Sequence, residues 1–177
     1  MRIHRNRAYN NVKAGIGVSS EDVRYSTDRI WVYNNLSYDH PNGHGCFVWD
    51  PDNGPTNVLF AHNTLINNRI SFYFGSKRST AEIVNNLGYS LGSAISNGTS
   101  KSSIKAHDNL WLAAPTGFVS ADGKDFRLTS ASTAIGKGKP VPPFSDDLGN
   151  TFRITTDFAG RERGDDVGLD LGAFAYP

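Results

Sequence analysis

The side chains that could do chemistry crowd into residues 13–53: Lys13, Glu21, Asp22, Arg24, Asp39, His40, His44, Asp50, Asp52 and Asn53. Hydrolysis of a glycosidic bond uses two carboxyl groups roughly 5–9 Å apart, and Asp39 with Asp50 or Asp52 offers such a pair. β-Elimination from a uronic acid needs a base for the proton beside the carboxylate and a cation to neutralise that carboxylate. His44 or Lys13 is the candidate base; Arg24, or Ca²⁺ held by Asp50 and Asp52, is the candidate neutraliser. Phe47, Trp49 and Tyr73 are flat rings suited to stacking on sugar faces, with His40 beside them as a further contact. The run Asp50-Pro51-Asp52-Asn53-Gly54 is also an ordinary turn sequence, without the length or terminal Glu of an EF-hand loop. His40 and His44 are four apart in a loop broken by Pro41, Gly43 and Gly45, so a zinc pair on one helical face is not expected.

The elements that must position these groups come from a repeat. Asn6, Asn35, Asn63, Asn86 and Asn109 recur at intervals of 29, 28, 23 and 23 residues. Three and five positions before each stand apolar residues: Ile3 and Met1, Val32 and Ile30, Phe60 and Val58, Ile83 and Ala81, Ala106 and Ile104. That alternation is the strand period with one face buried. Three positions after each Asn come Tyr9, Tyr38, Ile66, Tyr89 and Leu112, and a second apolar segment follows at 16–18, 46–48, 70–72 and near 93–95. A sandwich of hairpins does not require an Asn at one phase of every repeat. A coil of parallel strands does, because like residues stack every ~4.8 Å and their amides can form a ladder.

Composition agrees. The 177 residues include 14 Asp but 3 Glu, 7 Lys, 16 Asn and 18 Gly, which is no recipe for a helix bundle. A net charge of +1 argues against a nucleic-acid binder, which needs a basic stripe. No apolar run approaches the ~18 residues of a membrane span, and the first residues have no apolar stretch that would make a signal peptide. Cys46 alone excludes an intramolecular disulfide; alternating inward with Val48, it reads as a core residue.

Segments such as Val58-Leu59-Phe60-Ala61-His62-Asn63-Thr64-Leu65-Ile66-Asn67-Asn68 resemble the rungs of right-handed parallel β-helix proteins of the pectate-lyase-like kind. The tail, with Asp125-Phe126-Arg127-Leu128, Thr133-Ala134-Ile135-Gly136, Asp157, Gly160, Arg163 and Asp170-Leu171-Gly172-Ala173-Phe174, is similar to the closing segment of secreted bacterial β-helix proteins. The resemblance implies an all-β fold, a right-handed parallel β-helix of about five rungs over residues 1–128, then an irregular capping segment over 129–177 that covers the bottom rung. It implies a glycan groove on the sheet containing Phe47 and Trp49. It also implies an extracellular or cell-surface setting and polysaccharide binding or processing, by a lyase or glycoside hydrolase. The alternative is a non-catalytic stalk, adhesin or assembly module.

Alternation turns Phe47, Trp49, Ser71 and Tyr73 outward and Cys46, Val48, Ile70 and Phe72 inward. Trp31 and Tyr33 point outward on the next sheet, as surface aromatics or a subunit contact. Ile3 already stands at a rung position, so the upper sheet edge is open. The expectation is a C-terminal part of a longer protein, or a homo-oligomer joined through that edge. The cluster Arg161-Glu162-Arg163 is read as structural.

Overall fold

A computed structural model describes residues 1–20, 27–50, 54–98, 102–146, 148–164 and 168–177. Among them there is no helix. The chain coils into a parallel β-solenoid with three sheets. Sheet A stacks β1 (Arg2–His4), β4 (Asp28–Tyr33), β7 (Thr56–Ala61), β10 (Thr80–Val84) and β13 (Ser103–His107). Sheet B stacks β2 (Arg7–Tyr9), β5 (Leu36–Tyr38), β8 (Thr64–Asn68), β11 (Leu87–Ser90) and β14 (Leu110–Trp111). Sheet C has only β3 (Ala14–Ser19), β6 (His44–Trp49), β9 (Ile70–Phe74) and β12 (Ile95–Asn97). The fifth rung lacks a third strand, so the coil makes about four turns rather than five.

Each corner between sheets A and B is made by a residue in the left-handed region followed by a ladder Asn. Arg5, Asn34, His62, Asn85 and Asp108 hold φ of 50–57° there; Asn, Asp and His tolerate that conformation better than most residues. Asn10, Asp39 and Asn67 do the same at the next corner. The predicted ladder is present: the Nδ2 groups of Asn6, Asn35, Asn63 and Asn86 donate to the Oδ1 of the next Asn down at 2.9–3.0 Å. The backbone N–H of each makes a second bond to the same oxygen. Polar atoms at a buried corner are thereby satisfied in every rung.

The interior is filled from sheets A and C. Ile30, Val32, Val58, Phe60, Ala81 and Ile83 meet Ile16, Val18, Cys46, Val48, Phe72 and Phe74, with Leu65 from sheet B. Phe60 sits edge-on to Phe72 at 5.1 Å.

Sheet B inverts this pattern, and that decides where the tail goes. Its outer face carries Leu36, Tyr38, Ile66 and Leu87, which pack against Phe118, Phe126, Leu128, Leu171 and Phe174 of the tail. The antiparallel pair β15 (Phe118–Ser120) and β16 (Asp125–Leu128) lies on this face. A second pair, β17 (Phe144–Ser145) and β18 (Thr151–Phe152), covers sheet A. There Trp31 stacks on Phe144 at 4.4 Å, so Trp31 and Tyr33 are buried by the chain itself rather than left on the surface. The described tail therefore packs along two sides of the coil. Below it, Ala106 remains exposed and Ile104 and Trp111 half-buried.

Buried Arg163 clamps the tail to the corner. Its guanidinium donates to Asn34 Oδ1 at 2.8 Å, Gly172 O at 2.7 Å and Asp170 O at 3.2 Å. Asn34 returns a bond to Thr156 O at 2.6 Å.

Candidate functional site

Of the three outer faces, sheet C is the one on which the described tail packs no apolar side chain. Strands β6 and β9 set its chemistry. Register runs Ala14↔His44↔Ile70, then Ile16↔Cys46↔Phe72, then Gly17↔Phe47↔Tyr73. Simple alternation fails at the start of these strands, because the backbone turns inward at small residues. A Cβ on Gly45 would lie 2.5 Å from Leu65 Cδ2, and one on Gly15 would lie 2.1 Å from Ser37 Oγ. Two corrections follow. Ser71, expected outward, is buried with its hydroxyl 2.6 Å from that of Ser90, and Ile70, expected inward, is half-buried at the level of His44. The same inward step leaves His44 on the outer side, against Tyr73 and Phe47.

His44, Phe47, Trp49 and Tyr73 form one aromatic platform. Ring centroids are 4.4 Å apart for His44–Tyr73, 5.7 Å for Phe47–Tyr73 and for His44–Phe47, and 5.9 Å for Phe47–Trp49. Neighbouring planes differ by only 10–14°. Glycines make room for this arrangement. The Trp49 indole lies over Gly75 one rung below, and the Tyr73 phenol over Gly98. Gly17, level with Phe47, has open space where a side chain would stand. Trp49 keeps 41 % of its surface exposed.

Beside the platform runs a groove of 530 Å³ lined by Val12, Lys13, Asn42, His44, Phe47 and Trp49. The turn carrying Lys13 and Asn42 is tied to the strand entry, since His44 N–H donates to Lys13 O at 2.9 Å. A Cβ on Gly43 would lie 2.5 Å from that same carbonyl oxygen, so only glycine fits this close approach. Desolvation, and then the positive charge of Arg69, lower the His44 pKa and keep the imidazole neutral at pH 7.

The remaining predicted residues separate from this constellation. Asp39 does not line the groove: Asn67 Nδ2 donates to its Oδ1 at 3.0 Å and Lys124 of the tail pairs with its Oδ2 at 2.7 Å. His40 is fully buried, so it cannot touch a ligand as expected. It serves the corner between sheets B and C, where its Nδ1 accepts from Asn11 N–H at 3.0 Å and its own N–H donates to Asn68 Oδ1. Burial lowers its pKa. Asp50, at the end of β6, is buried at 2 % exposure. Arg24 and Asp52 lie outside the described residues, and with Asp52 goes half of the calcium pair. Among the described residues no three His, Cys, Asp or Glu side chains converge as metal ligands. Cys46 is buried, which pushes its thiol pKa up and leaves it unreactive.

Val12 and Asn42 were not singled out in the sequence, nor were the glycines beneath the aromatics. The spacing does carry a signal for one of them, since Gly75 falls where the register Val48↔Phe74 places the partner of Trp49. A second groove, of 480 Å³, runs between sheet A and Pro142–Phe144. The indole at its end, Trp31, is only 5 % exposed and already stacked, so it offers no free ring.

No helix of the described chain is long and apolar enough to cross a membrane. Compared with protein-family models, with curated proteins and with solved structures, the chain matches none.

Proposed function

We propose that this β-solenoid binds polysaccharide along the outer face of sheet C, as a carbohydrate-recognition module acting outside the cell or on its surface. The observation that carries the reading is the platform of four near-parallel rings with exposed Trp49 at its edge. Sugar rings present apolar C–H faces that stack on such surfaces, while hydroxyl groups take hydrogen bonds from a rim. Lys13 and Asn42 supply that rim. The described geometry favours binding over cleavage, because Asp39 is held by Lys124 and Asn67 away from the groove and, among the described residues, no carboxylate lines it.

The test is affinity electrophoresis of the parent and Trp49→Ala on a panel of neutral and uronic-acid polysaccharides, with and without calcium. Retardation on at least one glycan that Trp49→Ala weakens by roughly tenfold or more supports the proposal; no retardation on any, or retardation that Trp49→Ala leaves intact, overturns it. The same panel is read for ultraviolet absorbance of an unsaturated sugar. Its appearance would add elimination chemistry, with His44 or Lys13 as the base.

A further inference from the structure

Along the coil axis the rings of sheet C are flanked by residues with little or no side chain. On the rung above, Ala14 is level with His44, Gly17 with Phe47 and Ser19 with Trp49. A Cβ placed on Gly17 meets nothing within 4 Å. On the rung below, Ser96 is level with Tyr73, and the phenol reaches over Gly98. Across the strands the surface is walled instead, because the turn bearing Val12, Lys13 and Asn42 lines the groove on the side where β6 begins. The column Gly17, Phe47, Tyr73 is thus a path along the axis, one strand spacing of ~4.8 Å per step.

The rings also constrain the shape of what can lie on that path. Neighbouring planes differ by 10–14°, so a ligand stacking on more than one ring must present successive flat faces that are equally parallel. A glycan does this when each sugar is joined to its neighbours through equatorial bonds, because the chair rings then extend as a flat ribbon. An axial bond at the linkage sets each ring at an angle to the chain and winds it, so successive faces leave the common plane.

We infer that the glycan bound on sheet C is a flat ribbon of equatorially linked sugars, of the cellulose or xylan kind, lying along the coil axis with one ring over Gly17 and the next on Phe47 and Trp49. This rests on the polysaccharide-binding reading above and narrows it to one linkage class. Gly17 acts as the residue that admits the ring: its missing side chain leaves a seat beside Phe47, and Lys13 and Asn42, both exposed in the same groove, meet the sugar hydroxyls. A methyl group at this position leaves the ring room, whereas a branched side chain fills the seat.

Affinity electrophoresis separates this inference from the reading beneath it. Hydroxyethylcellulose and xylan carry equatorial linkages; amylose and polygalacturonate carry axial ones. The parent should bind the first pair roughly tenfold or more tightly than the second, and Gly17→Ile and Gly17→Thr should each weaken that binding by roughly tenfold while Gly17→Ala leaves it unchanged. Both blocking residues favour strands, and urea midpoints matching the parent's show that the fold is kept. Equal or tighter binding of amylose, polygalacturonate or any other glycan without the equatorial linkage would overturn the ribbon and leave glycan binding standing. Trp49-dependent binding that both blocking variants leave intact would overturn the path over Gly17. Retardation by no glycan at all would overturn this inference together with the reading on which it rests.

Discussion

Trp49 rests on Gly75: a Cβ added to that glycine would sit 2.7 Å from Cε3 of the indole and 3.0 Å from Cζ3. The ring is thus laid along the sheet, and its position depends on a residue with no side chain. Gly75→Val should lift the indole out of line with Phe47 and weaken glycan binding about as much as Trp49→Ala does, roughly tenfold or 1.4 kcal/mol. Gly17→Ala, which fills space that nothing occupies, serves as the control and should bind as the parent does. Affinity electrophoresis ranks the three variants.

The ladder makes a graded prediction. Asn63 is buried, accepts from the N–H and Nδ2 of Asn35, and donates to Asn86 Oδ1 and Val32 O. Asn63→Ala strands the backbone N–H of Asn35, whose Nδ2 keeps Ile3 O and Tyr33 O, at about 1–3 kcal/mol for a buried group left unpaired. Asn6→Ala removes bonds only at an exposed end and should cost well under half as much. Urea midpoints of the two variants give the comparison.

Arg163 should decide whether the tail stays docked. Its buried guanidinium holds two backbone carbonyls and Asn34 at once, and burial lowers its pKa to about 10 without discharging it near neutrality. Hydrogen bonds to a charged group are each worth about 1.5–3 kcal/mol, so Arg163→Ala should cost several kcal/mol. Arg163→Lys should recover little, because a single ammonium cannot reproduce the planar fork. Limited proteolysis within residues 139–164 reports the loss, since the segment covering Trp31 would become cleavable.

Acid should loosen the molecule through His62. This imidazole is buried, with Nδ1 against Asp170 O at 3.2 Å and Nε2 against Asn85 Nδ2 at 3.1 Å. Desolvation, then the Arg163 charge, hold its pKa well below 6.5. The unfolded chain therefore binds a proton that the folded chain refuses, and stability falls as pH drops below 6.5, by up to about 1.4 kcal/mol per pH unit for one proton. His107 works in the opposite sense. Asp108 and Glu82 raise its pKa, so its contribution is full below 6.5 and fades as pH rises through the folded value. Urea midpoints between pH 7.5 and 5 should fall less steeply in His62→Asn, a residue that already occupies the equivalent corner at Asn34 and Asn85.

The sequence by itself determined the coil. Stacked rungs repeat the same environment every 23–29 residues, so inward Ile, Val and Phe and the five ladder asparagines recur at a readable phase. Outward placement of Phe47, Trp49 and Tyr73 was legible for the same reason, and so was the burial of Cys46. Only the tertiary structure decided what lies over each outer face. The tail has no period, and its docking rests on contacts between residues far apart in the chain, such as Trp31 with Phe144 and Asn34 with Arg163. Those contacts bury two outer faces and leave sheet C without an apolar side chain of the described tail packed on it. Asp39 leaves the candidate site for a similar reason, through a pair with Lys124 that no local pattern encodes. His40 and His44 look alike in sequence, four residues apart in one loop. A buried corner takes the first and a glycine-made inward step presents the second, because packing space is settled by neighbouring rungs rather than by neighbouring residues.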